Sequence, residues 1–129
     1  MTVEGKPDDS FAYLYPYEFV LLTTFRKSGA GVPTAMWFAH ERGKLYMVTE
    51  RMAGKVKRIH NNGRVLLAPC DVSGRVLGEQ IEAYARELPT TEHPYANALL
   101  ASKYGDEYEM SSSEEYADDD ETFLEIEPI

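Results

Sequence analysis

The sequence predicts a mostly β, antiparallel domain with two short helices, and three observations lead there. Stretches rich in β-branched and aromatic residues recur from Glu18 onward, each bounded by Gly, Pro, Asn or Asp. The hydrophobic period lengthens to three or four in only two places, at Val56/Ile59 and at Tyr95/Leu99. The length of 129 residues leaves room for one domain, and 43% hydrophobic residues supply a core that needs no metal or disulfide staple.

The elements follow in order. Residues 1–10 are polar and read as a mobile N-terminus. Phe11, Tyr13, Tyr15 and Tyr17 alternate, as an extended aromatic edge or as one turn of helix; Pro16 rules against a long helix. Glu18 to Arg26 is a first strand, closed by the turn residues 27–31. Val32 to Glu41 is a second, with Pro33 near its start, where a missing N–H does least harm. Arg42-Gly43 makes a tight turn into a third strand, Lys44 to Thr49, so three strands are expected to pair in sequence as a meander. Ala53 to Asn61 is a helix, stopped by Asn62 and Gly63 because both tolerate a left-handed cap. Arg64 to Ala68 is a fourth strand that Pro69 should halt before a loop over 70–74. Glu79 to Leu88 is a fifth strand. A helix from Thr91, as N-cap, to Tyr104 follows, with Gly105 after its end. Residues 106–121 read as an acidic loop or insertion, and Thr122 to Ile126 returns to strand. Six strands close, or nearly close, into a small barrel, which removes exposed edges.

The net charge is −9, but it is unevenly spread. Eleven of the 22 acids lie from Gly105 to Ile129, where no Lys or Arg occurs; the other eleven against 13 bases leave residues 1–104 at +2. The overall field disfavours nucleic acid while permitting a local basic site. Apolar runs such as Phe19 to Leu22 are far too short to span a bilayer. No charged-then-apolar leader is visible, and Cys70 is the only cysteine, so a disulfide within the chain is impossible and a reducing cytoplasm is the expected compartment. His40, His60 and His93 have no metal-ligand spacing.

The sharpest local feature is cationic. Arg51, Lys55, Lys57, Arg58 and Arg64 fall in one stretch without an acid. Lys55 and Arg58 are three apart and share a helix face. Gly54 at the helix start would let a ligand approach the backbone, and free N–H groups there favour an anion such as phosphate. A solvated basic helix face is the plainer account of the charges taken alone. The strands before this helix, with Val32 to Phe38 and Met47 to Thr49 side by side, offer an apolar wall for a flat ring; core packing explains Trp37 and Phe38 equally well.

Taken in order, Gly31-x-Pro33, Trp37-Phe38, Gly43-Lys44-Leu45-Tyr46-x-Val48-Thr49 and Gly54-Lys55-Val56-Lys57-Arg58-Ile59-x-Asn61-Asn62-x-Arg64-Val65 resemble the flavin-binding split-barrel family. That family includes pyridoxamine 5′-phosphate oxidases and deazaflavin-dependent reductases. Thr23-Thr24-Phe25-Arg26 and the wording of residues 65–71 are similar to the deazaflavin, coenzyme F-420, branch. The resemblance spans roughly residues 18–88. It implies a single domain over 1–129, a six-stranded antiparallel split β-barrel with Greek-key connections and two or more short helices. It further implies a homodimer and a small oxidoreductase that moves a hydride from reduced coenzyme F-420 to a small organic acceptor, with neither nucleic acid nor membrane as partner. By the same resemblance Lys55 holds the cofactor phosphate and Arg58 adds a polar contact one turn on. Val48 and Thr49 line the ring, and Thr34, Ala35 and Met36 face it from the opposite strand, with Gly54 at the phosphate. No catalytic acid is visible. Two departures matter: the FMN-using oxidases carry arginine where this chain has Met36, and a Ser-Arg pair where it has Ala53-Gly54. Both weaken FMN relative to the deazaflavin. FMN or haem on the same fold, and a cofactor-binding module without turnover, are the alternatives.

Overall fold

The computed structural model describes residues 10–105 and 120–129. The expectations for residues 1–9 and for the acidic run over 106–119 lie outside them. One antiparallel sheet holds seven strands: β1 (Phe19–Phe25), β2 (Gly31–Trp37), β3 (Ala39–Glu41), β4 (Lys44–Glu50), β5 (Arg64–Cys70), β6 (Ile81–Glu87) and β7 (Glu121–Pro128). Helix α1 (Gly54–Asn61) joins β4 to β5, and α2 (His93–Tyr104) follows β6. The aromatic segment before β1 takes the helical option, a single 3-10 turn over Ala12–Leu14.

The spatial order is β2-β1-β5-β6-β7-β4-β3. β2 and β3 are therefore at opposite edges, yet only Phe38 separates them in the chain. That is possible only if the sheet curls until its edges meet, which is the geometry of a split barrel. The long second strand expected over 32–41 is thus two strands with different partners, and the count rises from six to seven. β2 pairs with β1 and β3 with β4, so the simple meander is not formed: β2 and β4 exchange no ladder hydrogen bonds. The break is satisfied by α2. The Tyr104 hydroxyl accepts from the Phe38 N–H at 2.9 Å and lies 2.8 Å from the carbonyls of Phe38 and Glu18, its single proton serving one at a time.

Strand alternation builds two cores. Val20, Leu22, Met36, Leu45, Met47, Val65, Leu67, Leu124 and Ile126 point into the barrel and meet Phe11, Leu14, Phe38 and Ile59. Tyr46 and Phe123 point outward, where Leu88, Ala96 and Leu100 cover them. β4 is consequently buried on both faces over Leu45–Met47, and reads as an unbroken apolar run rather than an alternating one.

Several local expectations change. Pro69 does not end β5, which runs on to Cys70; pairing with β6 stops at Leu67, and beyond it the Pro69 carbonyl accepts from the Leu77 N–H at 2.8 Å. Pro33 is near the start of β2, as expected, but β2 is an edge strand rather than the middle strand of a meander. Thr91 is not an N-cap: residues 90–92 form a 3-10 turn, α2 starts at His93, and Pro94 occupies its first turn, where no N–H is needed. Helix α1 does stop at Asn61, but not through a left-handed residue, because Asn62 is extended at φ −153°. Gly63 is needed for space instead: a Cβ there would lie 3.0 Å from the Ala85 carbonyl, and the Gly63 carbonyl accepts from the Ala85 N–H at 2.8 Å. The Arg42-Gly43 turn has both residues at positive φ, 55° and 79°, the twist a two-residue hairpin favours. No helix among the described residues is long and apolar enough to cross a membrane.

Candidate functional site

Helix α1 packs against β1 and β6, with Ile59 among the barrel-core residues. Its buried residues are Val56 and Ile59, so the positions next to them carry Lys55 and Arg58 along the edge of the packed face. Arg58 is one turn beyond Gly54, and helical side chains lean toward the N-terminus. Its guanidinium accordingly folds back over Gly54, where a Cβ would lie 2.8 Å from Nη1. The bare α-carbon expected to admit a ligand thus admits first the chain's own arginine.

Two threonines hold the two cations. Lys55 Nζ donates to Thr49 Oγ1 at 3.3 Å, and Arg58 Nε donates to Thr24 Oγ1 at 2.7 Å. Thr49 is the penultimate residue of β4 and Thr24 the penultimate residue of β1, strands on opposite sides of the sheet order that curling brings to one helix. Among the described residues, no carboxylate lies within ion-pair distance of either cation. Burial, and then the Arg58 charge, pull the Lys55 ammonium below its ordinary pKa, against a smaller opposing effect of Glu50. The helix start adds to the same imbalance. Its N-cap is Ala53, no side chain caps it, and its first turn has no acid. Two like charges and an uncapped helix end, converging without a counter-ion, suit an anion such as a phosphate.

The remaining residues singled out from the sequence are dispersed. Successive strand residues face opposite ways. Met36 is buried in the barrel core, and Thr34 shares its side of β2 while Ala35 takes the other. Val48 packs against the outer core beneath α2, whereas Thr49 faces Lys55. Sequence reasoning missed Thr24 as a member of the site. Its one signal is a polar residue at an inward position of β1, where Val20 and Leu22 are apolar; Thr24 is 1% exposed.

Other polar groups have structural partners. His60 Nε2 lies 2.7 Å from Glu87 Oε1, and the Thr122 hydroxyl donates to the other Glu87 oxygen. Next to this pair is a hollow of about 490 Å³, bounded also by Ile59, Arg86 and Leu88. Glu125, 6% exposed, accepts from the Tyr46 hydroxyl and from Arg86 Nε, both at 2.9 Å. His40 stacks on Tyr15, and His93 is 3.0 Å from the Leu88 carbonyl. Cys70 is buried, and burial followed by Asp71 pushes its thiol pKa up, away from reactivity.

The family model described as pyridoxamine 5′-phosphate oxidase matches residues 12–129. Among solved structures, a FAD-binding protein from Mesorhizobium loti is 14% identical with a TM-score of 0.70, over 98% of this chain and 91% of that one. The haem-storage protein HutZ from Vibrio cholerae is 12% identical with a TM-score of 0.66, over 87% and 82%. General stress protein 26 from Bacillus anthracis is 21% identical with a TM-score of 0.65, over 95% and 88%. These structural likenesses establish a shared fold. No curated protein matches the chain. With the family model spanning almost the whole barrel and both helices, the chain belongs to the pyridoxamine 5′-phosphate oxidase family.

Proposed function

We propose that this chain is an oxidoreductase of the split-barrel type that anchors the phosphate of a flavin-type cofactor between Lys55 and Arg58. The observation that carries the reading is the pair of cations, each held by a threonine hydroxyl and neither paired with a carboxylate among the described residues. The bound cofactor would supply the hydride chemistry. The chain's own part is to bind and orient. Lys55 and Arg58 neutralise the phosphate, the uncapped start of α1 points N–H groups at it, and Thr34 and Thr49, on the inward side of their strands, are offered as residues beside the ring, whereas Ala35 and Val48 face the other way. Met36, within the barrel core, would act from behind them.

Reduced coenzyme F-420 is the first reading for the cofactor. The family's FMN oxidases have basic residues at two places where this chain has Met36 and Ala53-Gly54. FMN is the second, favoured by family membership and by the FAD-binding relative. A homodimer, with the ring at the subunit junction, and a cytoplasmic location complete the proposal.

Titration of the purified chain with coenzyme F-420, FMN, FAD and haem, read by fluorescence and absorbance, tests the reading. Lys55→Ala should remove a charge-assisted contact of about 1.5–3 kcal/mol, roughly one to two decades in affinity. The loss should shrink at higher salt. Unchanged affinity in Lys55→Ala rejects the phosphate anchor, and tight binding without turnover of any acceptor moves the chain to the cofactor-binding modules.

A further inference from the structure

Arg58 is held in a way that its place on α1 does not require. A long side chain at a helix surface ordinarily samples many rotamers and keeps its head in water. Here the guanidinium is fixed from two sides. Nε donates to Thr24 Oγ1 at 2.7 Å, and Nη1 lies so close to the Gly54 α-carbon that a methyl there would stand 2.8 Å away. Thr24 is 1% exposed and occupies the inward row of β1, flanked by Val20 and Leu22 of the core. A valine has the same shape and would suit that row better. The hydroxyl therefore has a purpose other than packing, and the contact it makes is with Arg58. The arginine spends one N–H on Thr24 and keeps the far edge of its planar fork for another acceptor. Burial first, and then this fixed charge, depress the pKa of Lys55, so the folded chain maintains a repulsion that an anion would relieve.

We propose that Thr24 is a positioning residue for the anion site: its buried hydroxyl, together with the bare α-carbon of Gly54, locks the Arg58 guanidinium beside Lys55 before the ligand arrives. The inference rests on the reading of the Lys55–Arg58 pair as a phosphate anchor. It adds that the pair is preorganised from β1, with the ordering cost of the arginine met in folding rather than in binding. Gly54 then serves to make room for the arginine, and Thr24 never touches the ligand itself.

The test uses the full chain, with coenzyme F-420 and FMN as probes and riboflavin as the phosphate-free control. Thr24→Val should weaken whichever phosphate-bearing probe the wild type binds more tightly by about tenfold, the worth of one hydrogen bond, and leave riboflavin unchanged. Thr24→Ser, which restores the acceptor, should recover the affinity. Gly54→Ala perturbs no core residue and should give the same selective loss by displacing Nη1; it serves if Thr24→Val fails to fold. In ¹⁵N spectra the Arg58 Nε–H should exchange slowly in the wild type and Thr24→Ser, and rapidly in Thr24→Val. A purely structural role for Thr24 would lower stability without changing the ratio of phosphate-bearing probe to riboflavin. Wild-type affinity in both Thr24→Val and Gly54→Ala, while Lys55→Ala loses it, overturns the positioning role and leaves the anchor standing. Indifference of all three variants overturns the anchor and the positioning role with it.

Discussion

Lys55 works against its own charge. Burial and Arg58 both disfavour the ammonium, so its pKa in the free chain lies below the ordinary lysine value. An anion seated between the two cations favours the ammonium and raises that pKa again. By linkage the ligand binds best while Lys55 is protonated, and its affinity falls as pH rises through the lowered pKa of the free chain. Cofactor titrations from neutral to alkaline pH should show this decline in the wild type and lose it in Lys55→Met. Lys103 is a second lysine with a depressed pKa, about 8, chiefly through burial. Its ammonium lies 3.5 Å from the centroid of the buried Phe38 ring and donates to the Tyr17 carbonyl at 3.1 Å. Between about 8 and the ordinary 10.5, the unfolded chain holds a proton that the folded chain has released, so this lysine's contribution to stability rises with pH across that window. Urea midpoints across it should climb in the wild type more than in Lys103→Met.

At the scale of elements, the most consequential feature is the interruption at Phe38. The chain leaves β1's edge and joins β4's within one residue, and Tyr104 from α2 holds the exchange point through a hydroxyl shared by two backbone groups of Phe38. Tyr104→Phe removes that hydroxyl and strands a buried N–H, a cost of about 1–3 kcal/mol. Denaturant unfolding should register it, with the m-value unchanged if the fold is kept. The β3–β4 hairpin depends on Gly43 at φ 79°. Gly43→Ala should cost roughly 1–2 kcal/mol, the strain of a left-handed L-residue, in the same measurement. Helix α1 shows how far element-level reading reaches. Its extent, amphipathic face and cationic start follow from residues 53–61, while the room needed at Gly63, just past its end, is set by Ala85, twenty-two residues on in the chain.

For the whole molecule, curling is the event that brings two distant strands to one helix. Thr24 and Thr49 belong to strands separated by three others in the sheet, β5, β6 and β7, and both reach α1 only because the sheet bends round to the helix. The proposed homodimer belongs to this scale as well. Sedimentation equilibrium of the purified chain should return twice the monomer mass of 14.6 kDa, and a monomer carrying bound cofactor would remove the subunit junction from the proposal. The −9 charge is a property of the whole chain, whereas the stretch over 51–64 is locally cationic. Binding of an anionic cofactor should therefore strengthen modestly as moderate salt screens the long-range repulsion, then weaken as the direct contacts are screened.

The class of fold, most strand positions, the two helices and the cationic start of α1 are legible in the chain, because each of these is written in local periodicity, turn residues and neighbouring charges. Its resemblance to the split-barrel family placed Lys55, Arg58 and Thr49 at one site, and those three do converge, though Met36 and Val48 face away into the two cores. Folding had to be seen to learn that the expected strand over 32–41 breaks at Phe38, that Pro69 continues β5, and that Thr24 reaches Arg58 across 34 residues of chain. The physical reason is common to all three. Each depends on which distant backbone or hydroxyl is available to satisfy a polar group, and non-local hydrogen-bond partners leave no trace in the spacing of neighbouring residues.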